Sequence, residues 1–364
     1  MCVCYFTTLF LLLILSGAPL LFLYVPSVER AYSSIKDIEY VVTFGSWLRS
    51  VHRVGAHAMV VVVALHLVRV FLTGAYKNGV GQGQRREWNW VIGVFMLLMT
   101  LLLSFTGYLL PWDQLAFWAV TVGTNIAASI PFVGPQVREL LIGGRAIDQP
   151  TLIRFYVLHI VVLPAALGAL FAYHMWRIRK DGGLAKPANA DELVAEEAKE
   201  FYPVFTDAPT KTYHLAAVVK GKTPAVGSGP EHTVPSMPHL FYAELGVLML
   251  TTLICVALAF VSDAPLKELA NPLVPENPAK APWYFLGLQE IVSFSAFMGG
   301  IGIPMLCVVG LGLIPFLDRE KEGTGEWFGG PGGWKLVKWS IVVGFVSSIA
   351  VEAFAIRFSW LREW

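Results

Sequence analysis

The sequence predicts an all-α transmembrane protein in which a four-helix bundle is followed by a three-helix membrane module, about seven spans in all. Hydrophobic residues make up 55% of the 364 residues and charged residues only 15%, whereas soluble domains carry about 25% charged residues. A span needs roughly 20 mainly apolar residues, and seven runs approach that length. They are Cys4–Tyr24, His52–Thr73, Val91–Leu110, Phe155–Trp176, Phe241–Val261, Gly299–Leu317 and Leu336–Phe358.

The order of the runs divides the chain into three parts. Residues 1–180 hold the first four runs, residues 181–240 form a polar extramembrane linker, and residues 241–364 hold the last three runs. The first run lacks the basic start and cleavage site of a signal peptide, so it is predicted to be a span. The connection Pro111–Arg154 is rich in Trp, Phe and Ile, which predicts a segment packed at the membrane surface. The formal net charge of +1 gives no basis for nucleic-acid binding.

Four of the eight histidines lie in the second and fourth runs, His52 and His66 in one, His159 and His174 in the other. A helix turns about 100° per residue, so intervals of fourteen and fifteen residues bring both imidazoles of a helix to within roughly 40° and 60° of one direction. The rise of about 1.5 Å per residue separates the two by about 21–22 Å. One histidine of each helix is therefore expected near each membrane face.

Two such helices packed together would place two imidazole pairs one above the other across the bilayer. Imidazole is an axial ligand of haem iron, and a bis-histidine site leaves no open coordination position, which suits electron transfer. A single histidine would more often be a hydrogen-bonded core residue, but four at matched spacing favour a functional role because polar groups at membrane depth are costly. The remaining four histidines are expected to be ordinary structural residues. They are His57, His214, His232 and His239.

Small and basic residues near these histidines are consistent with a porphyrin between the helices. Gly93 and Gly107, also fourteen residues apart, would let a flat macrocycle approach the backbone of the third run. Close helix packing is an equally good reason for glycine there. Arg49 and Arg69, each three residues from a histidine of the second run, are candidates to pair with haem propionates, with snorkelling to the membrane surface as the alternative.

These segments resemble the cytochrome b/b6 family, the quinol-oxidising di-haem core of cytochrome bc complexes. The matching stretches are SWLRSVHRVGAHAMVVVVALHLVRVFLTGAYK, GYLLPWDQLAFWAVTVGTN and IRFYVLHIVVLPAALGALFAYHMWRIRK. The last three runs, with PWYF and IPFLDRE, are similar to subunit IV, here fused to the first four. The resemblance implies that His52 and His159 ligate a noncovalent haem b near the positive side, and His66 and His174 a second one near the negative side.

The resemblance also implies partners and a location. One electron of quinol would pass to a Rieske iron–sulfur protein and on to c-type cytochrome subunits, while the other would cross both haems to a quinone at the negative side. Arg179, Lys180 and Asp181 are candidates for that inner quinone pocket, with a basic helix end as the alternative. The family is usually dimeric, and the protein is expected in the lipid bilayer of a bacterial energy-transducing inner membrane.

The quinol-oxidation motif departs from the family pattern. Family members typically have Pro-Glu-Trp-Tyr, whereas this chain has Ala-Pro-Trp-Tyr at residues 281–284. Trp283 and Tyr284 are expected in the quinol pocket, but the glutamate that takes a quinol proton is absent. Glu290 and Glu276 are both candidates to replace it, provided that the carboxylate comes within hydrogen-bond reach of the quinol. Motif variants of this kind favour menaquinol over ubiquinol as the substrate.

The first run raises the question of a third haem. The b6 branch attaches an extra haem through one cysteine near the negative end of its first helix, and that position falls close to Cys2 and Cys4. Either thiol is therefore a candidate for covalent attachment. The family's nearby glycines are absent, its first helix-one glycine is missing so that Gly17 stands alone, and the amphipathic segment that usually precedes this helix is also absent.

Two other functions stay open on the sequence alone. The chain could be the quinone-linked di-haem membrane arm of another respiratory dehydrogenase, which would not divide its electrons between two routes. The missing motif glutamate keeps that alternative open. A seven-helix transporter could instead use its histidines for proton relay. The transporter would have no visible absorption, whereas either cytochrome would.

Overall fold

The computed structural model describes residues 2–78, 85–181, 241–275, 279–318, 323–325, 327–329 and 333–357. These ranges contain helices and turns but no β-strand, with one isolated bridge between Asp113 and Leu269. The all-α prediction is confirmed. Residues 182–240 of the predicted linker, with His214, His232 and His239, lie outside the described residues, and the three-part division of the chain remains a prediction.

An α-helix lies at the position of each of the seven predicted runs. In chain order they are α1 (Cys2–Leu23), α2 (Ala31–Tyr40), α3 (Gly45–Leu72), α4 (Arg86–Tyr108), α5 (Gln114–Ala128), α6 (Gly134–Ile142), α7 (Gln149–Val157), α8 (Leu163–Asp181), α9 (Phe241–Leu258), α10 (Leu286–Phe294), α11 (Ile303–Leu317) and α12 (Gly333–Arg357). One π-helical turn, Leu158–Val162, joins α7 to α8, and another, Met298–Gly302, precedes α11.

Six helices among the described residues are long and apolar enough to cross a membrane. They are Cys4–Leu23, Gly45–Leu72, Arg86–Tyr108, Gln149–Asp181, Phe241–Leu258 and Met298–Leu317. Helix α12, 25 residues long, occupies the position of the seventh predicted run. The chain is therefore a multi-pass membrane protein, because helices of this length satisfy their own backbone hydrogen bonds within lipid.

The chain forms two compact units. The first comprises Met1–Leu67, Gly93–Phe171 and Phe241–Ile314, and the second comprises Val68–Ile92, Ala172–Leu240 and Pro315–Trp364. Each unit draws on segments from both sides of the predicted linker, so this division does not follow the order of the chain.

Helix α2, in the first unit, fills the connection between the first two spans and is absent from the sequence prediction. Its ten residues are too few for a span, but Ala31, Ile35 and Ile38 recur at helical spacing and are buried. They pack with Trp112 and with Tyr24, whose hydroxyl donates to the Leu110 carbonyl at 2.7 Å. Burying each isoleucine stabilises this cluster by roughly 1.5–3 kcal/mol. The cluster fixes the chain immediately before α3.

The connection Pro111–Arg154 is ordered and packed within the first unit, as its composition predicts. Helices α5 and α6 pack on each other, and the side chains of Val120 and Ile142 are completely buried. Asp113 caps α5 by accepting from the Ala116 N–H at 2.9 Å, and its second oxygen accepts from the Lys267 N–H at 2.9 Å. One carboxylate thus joins this connection to the segment that follows α9.

Candidate functional site

His52 on α3 lies against α1, where a serine and a glycine hold its imidazole. The hydroxyl of Ser16 donates to the Leu12 carbonyl at 2.7 Å and lies 2.9 Å from Nδ1 of His52. Because that hydroxyl hydrogen is already used, the serine oxygen accepts the Nδ1–H of His52. The next residue is Gly17, where a Cβ would lie 3.1 Å from Cε1 of the ring. This tautomer leaves Nε2 with a lone pair.

His159 has the same arrangement against α4. The hydroxyl of Thr106 donates to the Leu103 carbonyl at 3.0 Å and lies 3.2 Å from Nδ1 of His159. At Gly107 a Cβ would lie only 2.5 Å from Cε1 of the ring. Gly107 thus lets the imidazole of His159 lie against the backbone of α4, and its predicted role in the approach of a macrocycle stays a prediction. Gly93 is half-buried in the same helix, and its role stays a prediction.

The two imidazoles lie at a spacing that suits one shared metal ion. Their ring centroids are 6.3 Å apart, with an interplanar angle of 79°. A metal–nitrogen bond to imidazole is about 2 Å long. Two such bonds, added to the distance from each ring centroid to its nitrogen, place the two centroids about 6 Å apart. Both Nδ1 atoms contact hydroxyls, the arrangement that orients histidine ligands of metals. The pair therefore fits an ion that takes its other ligands from elsewhere.

A porphyrin supplies such further ligands. Among the described residues, no group of three or more His, Cys, Asp or Glu side chains could hold a metal ion on its own. A site with two protein ligands accordingly needs a group that brings the remaining donors, as the four ring nitrogens of a haem do. The donor set at His52 and His159 fits a bis-histidine haem.

His66 and His174 are described separately, because His66 belongs to the first unit and His174 to the second. Both are half-buried, and their pairing stays a prediction. The π-helical turn Leu158–Val162 contains His159 and takes up one more residue than an α-helical turn. The His159–His174 interval is also one residue longer than the His52–His66 interval.

The two predicted propionate partners have different surroundings. Arg49 is buried and forms an ion pair with Glu39 of α2, and it also donates to the Pro265 carbonyl at 3.4 Å. The Arg49 side chain therefore does not extend to the membrane surface, and its guanidinium is already paired. Arg69 is exposed in the last turn of α3. A role in binding propionates stays a prediction for both.

The motif residues Trp283 and Tyr284 meet His57, which the sequence analysis treated as an ordinary structural residue. The indole N–H of Trp283 donates to Nδ1 of His57 at 3.0 Å, and the rings of His57 and Tyr284 meet edge to face with centroids 5.6 Å apart. Burial raises the pKa of Tyr284, opposed by a hydrogen bond with Ser104 and by the charge of Arg53. The phenol is therefore protonated at neutral pH.

The two carboxylates that are candidates to replace the motif glutamate are Glu290 and Glu276. Glu290 is half-buried in α10, and within the described residues its carboxylate makes no hydrogen bond to Trp283 or Tyr284. Its neighbour Gln289 braces the motif by accepting from the Ala281 N–H at 2.8 Å. Glu276 lies outside the described residues. A catalytic role for Glu290 stays a prediction.

The thiol of Cys4 contacts the start of α9. Its Sγ donates to an oxygen of Glu244 at 3.7 Å, and α1 packs along α9. The side chain of Cys2 lies outside the described part of the chain. Attachment of a third haem to either thiol stays a prediction.

The end of α8, within the second unit, carries a buried ion pair. Arg177 donates to the carboxylate of Asp181 at 2.7 Å, and the two side chains are 8% and 2% exposed. Arg86 donates to the Asp181 carbonyl at 3.1 Å, which closes the cluster. Asp181 is therefore fixed by arginines, whereas the Lys180 ammonium lies 4.8 Å from the centre of the Trp176 ring. The inner-pocket role of Arg179, Lys180 and Asp181 stays a prediction.

The serine, threonine and glycines that contact His52 and His159 share a sequence pattern. Ser16–Gly17 and Thr106–Gly107 are hydroxyl–glycine dipeptides in two apolar runs, and each lies against one histidine. The repetition is visible in the sequence, but its meaning depends on which helices are neighbours. His57 carried no such signal.

Comparisons with known proteins show the family to which the chain belongs. A family model described as "Cytochrome b(N-terminal)/b6/petB" matches residues 57–274, well over half of the chain. Cytochrome b6 of Prochlorococcus marinus (strain MIT 9215) is 43% identical over 173 residues, which are 48% of this chain and 77% of that relative. Cytochrome b6 of Synechococcus elongatus is 43% identical over 175 residues, or 48% of this chain and 79% of that relative.

A solved structure extends the likeness to almost the whole chain. The chain described as "Hyperthermophilic respiratory Complex III" superposes with a TM-score of 0.71, covering 96% of this chain and 82% of that chain at 24% identity. At that identity the likeness concerns the fold, while the family match and the b6 relatives concern the sequence. The chain therefore belongs to the cytochrome b(N-terminal)/b6 family.

Proposed function

We propose that this protein is the di-haem cytochrome b subunit of a bc-type quinol oxidoreductase. It acts with a Rieske iron–sulfur protein and c-type cytochrome subunits, as a dimer of the complex, in a bacterial energy-transducing inner membrane. Quinol is oxidised at the positive side and a quinone is reduced at the negative side, so protons are released on one face and consumed on the other. Menaquinol is the preferred substrate.

The observation that carries this proposal is the pair formed by His52 and His159, 6.3 Å apart at their ring centres. Haem, when bound, supplies an iron that takes up and gives back one electron at a time. Ser16 and Thr106 hold each ring with its Nδ1–H engaged, so both Nε2 lone pairs are available to the same ion. Gly17 and Gly107 let the rings lie directly against the helix backbones.

His66 and His174 are assigned to the second haem by helix spacing. The interval on α3 is fourteen residues, and the interval from His159 is fifteen, of which the π-helical turn absorbs one. Arg49 and Arg69 are assigned to the haem propionates. Glu39 already forms an ion pair with Arg49, so a propionate at that position would share the guanidinium with a carboxylate.

The quinol-binding assignment rests on Trp283 and Tyr284. Trp283 is 52% exposed, and its aromatic face offers contact area to a quinone ring. Tyr284 keeps its proton and is bonded to Ser104. These residues bind and orient the substrate.

A second candidate function is the quinone-linked membrane arm of another respiratory dehydrogenase. Pro282 stands where the family motif has its glutamate, and loss of that acid is compatible with electron transfer that follows a single route. The two candidates differ in one measurable respect. Quinol-dependent haem reduction requires the Rieske partner and is blocked by positive-side inhibitors in the bc-type complex, but not in the dehydrogenase arm.

The test of the proposed function is a haem count on the purified protein. A pyridine haemochrome assay is expected to give two noncovalent haems b per chain, and His52→Leu or His159→Leu lowers the count to one. His57→Gln is the matched control on the same helix and keeps both. Staining for haem on a denaturing gel reports whether Cys2 or Cys4 carries a third. A colourless wild-type protein contradicts the proposal and leaves a histidine-containing transporter.

A further inference from the structure

His57 is a titratable group in contact with both aromatic residues of the quinol motif. It lies on α3, five residues after His52, and is half-buried. Trp283 donates to its Nδ1 at 3.0 Å, and Tyr284 meets its ring edge to face. The family pattern places a glutamate beside this tryptophan, and this chain has Pro282 there. The contact therefore puts an imidazole close to the position from which the carboxylate is missing.

The hydrogen bond from Trp283 fixes the protonation state of His57. Indole nitrogen is only a donor, so Nδ1 of His57 has to be an unprotonated acceptor and the ring proton resides on Nε2. A proton added at Nδ1 would break this hydrogen bond. The contact between the two side chains and the presence of a proton on Nδ1 are therefore mutually exclusive.

We infer that His57 takes the quinol proton in place of the missing motif glutamate, and that the Trp283 N–H occupies the accepting nitrogen until a quinol hydroxyl replaces it. The inference rests on the proposed function. In the step, the quinol O–H bond breaks and an N–H bond forms at Nδ1, while one electron leaves to the iron–sulfur protein. The imidazolium then gives its proton to water on the positive side, which restores the Trp283 hydrogen bond.

The charged and titratable groups around His57 are compatible with this cycle. Arg53 lies one turn earlier on the same helix face and donates to the Asp263 carbonyl at 2.8 Å. Its positive charge repels an imidazolium and so favours onward release of the proton. From the motif side, Tyr284 is neutral and bonded to Ser104 of α4. Half of Trp283 is exposed, so a substrate can displace its N–H.

The experiment measures quinol-dependent haem reduction by the purified complex over about pH 5 to 9, the range that spans histidine titration. A short-chain menaquinol analogue is the probe. The wild-type rate is expected to fall on the acid side, where His57 is already protonated. His57→Gln keeps an acceptor for the Trp283 N–H but cannot titrate. It is expected to lose this acid limb and to be at least about 100-fold slower at its plateau.

Trp283→Phe tests the same inference through a different residue. It removes the N–H that competes with a proton at Nδ1, so the acid limb is expected to move to higher pH by about half to one unit. Trp88→Phe is the matched control, because Trp88 is 53% exposed and Trp283 is 52% exposed. Trp88 lies far along the chain from the motif, and its substitution keeps the wild-type limb.

The outcomes separate this inference from the proposed function. If His57→Gln retains both the rate and the acid limb, or if Trp283→Phe leaves the limb unmoved, His57 is not the proton acceptor although quinol oxidation stands. If Glu290→Gln removes the limb instead, the glutamate is the acceptor and the inference is overturned. A wild-type complex that binds haem but does not oxidise the quinol overturns the proposed function and this inference with it.

Discussion

His52 and His57 lie five residues apart on α3, yet their rings are held in opposite tautomers. His52 gives its Nδ1–H to Ser16, which leaves Nε2 able to bind a metal. His57 accepts at Nδ1 from Trp283, which leaves its proton on Nε2. The tautomer of each ring is therefore set by the polar neighbour that another segment contributes. That difference suits the proposed role of His52 as a metal ligand and of His57 as a proton acceptor.

The regions around these two histidines also differ in how tightly they are built. Glycines lie against the rings of His52 and His159, where an added methyl group has 3.1 Å or less to the nearest ring atom. His57 faces a half-exposed tryptophan instead. A tightly packed imidazole pair and a displaceable hydrogen bond on one helix are what the proposed electron transfer and proton release require.

The largest expected effect comes from removing a ligand of the tight site. His159→Leu should abolish one haem of two, because leucine offers no donor for the iron. Haem per chain, measured by pyridine haemochrome assay, checks this result. Retention of both haems in His159→Leu would show that the ring contacts Thr106 and Gly107 for structural reasons alone.

A graded glycine series tests how closely the rings are packed. Gly107→Ala places a methyl group 2.5 Å from His159, Gly17→Ala 3.1 Å from His52, and Gly168→Ala 3.8 Å from Phe10. We expect thermal stability and haem retention to fall in that order, with a cost of about 1–3 kcal/mol for the tightest and none for the third. Melting followed by haem absorbance provides the measurement. Equal behaviour of all three variants would mean that the rings can move aside.

Removing the hydroxyls that hold the ligands should have a smaller effect. Ser16→Ala and Thr106→Val each delete the acceptor of an Nδ1–H while keeping the helix and the glycine. Loss of such a partner lowers metal affinity by about 10–100-fold. Haem is expected to remain bound at first and to dissociate faster into apomyoglobin. Wild-type dissociation rates in both variants would show that the hydroxyls do not orient the rings.

The smallest expected effect concerns Tyr284 in the open region. Its pKa is raised by burial, so the phenol does not ionise until the pH exceeds about 10. The folded state favours the neutral phenol, so ionisation of Tyr284 lowers the free energy of unfolding. That loss of stability occurs only above this pH. Alkaline difference absorbance of wild type against Tyr284→Phe should contain no phenolate from this residue below pH 10. Phenolate at pH 9 would contradict this description of the pocket.

Residue spacing predicts part of this site and cannot predict the rest. The intervals among His52, His66, His159 and His174 are properties of single helices, so the spans and the four candidate ligands follow from the sequence. The tautomers of His52 and His57 depend on Ser16 and Trp283, which come from other segments of the chain. Gly107 illustrates the same limit, because its neighbour could be identified as an imidazole only after α4 and His159 were placed together.

Short amphipathic elements escape prediction for a related reason. Helix α2 has ten residues and buries one narrow face, so it lacks the length that identifies a span. Its Glu39 is nevertheless the partner of Arg49. A sequence-based assignment of Arg49 to a propionate could not take that carboxylate into account.

The claim that His52 and His159 share one metal centre is tested most directly by electron paramagnetic resonance of the oxidised protein. Two low-spin ferric signals are expected for the wild type, and His52→Leu and His159→Leu should each eliminate the same one while leaving the other unchanged. If the two variants eliminate different signals, or if neither signal changes, the two histidines do not clasp a common haem.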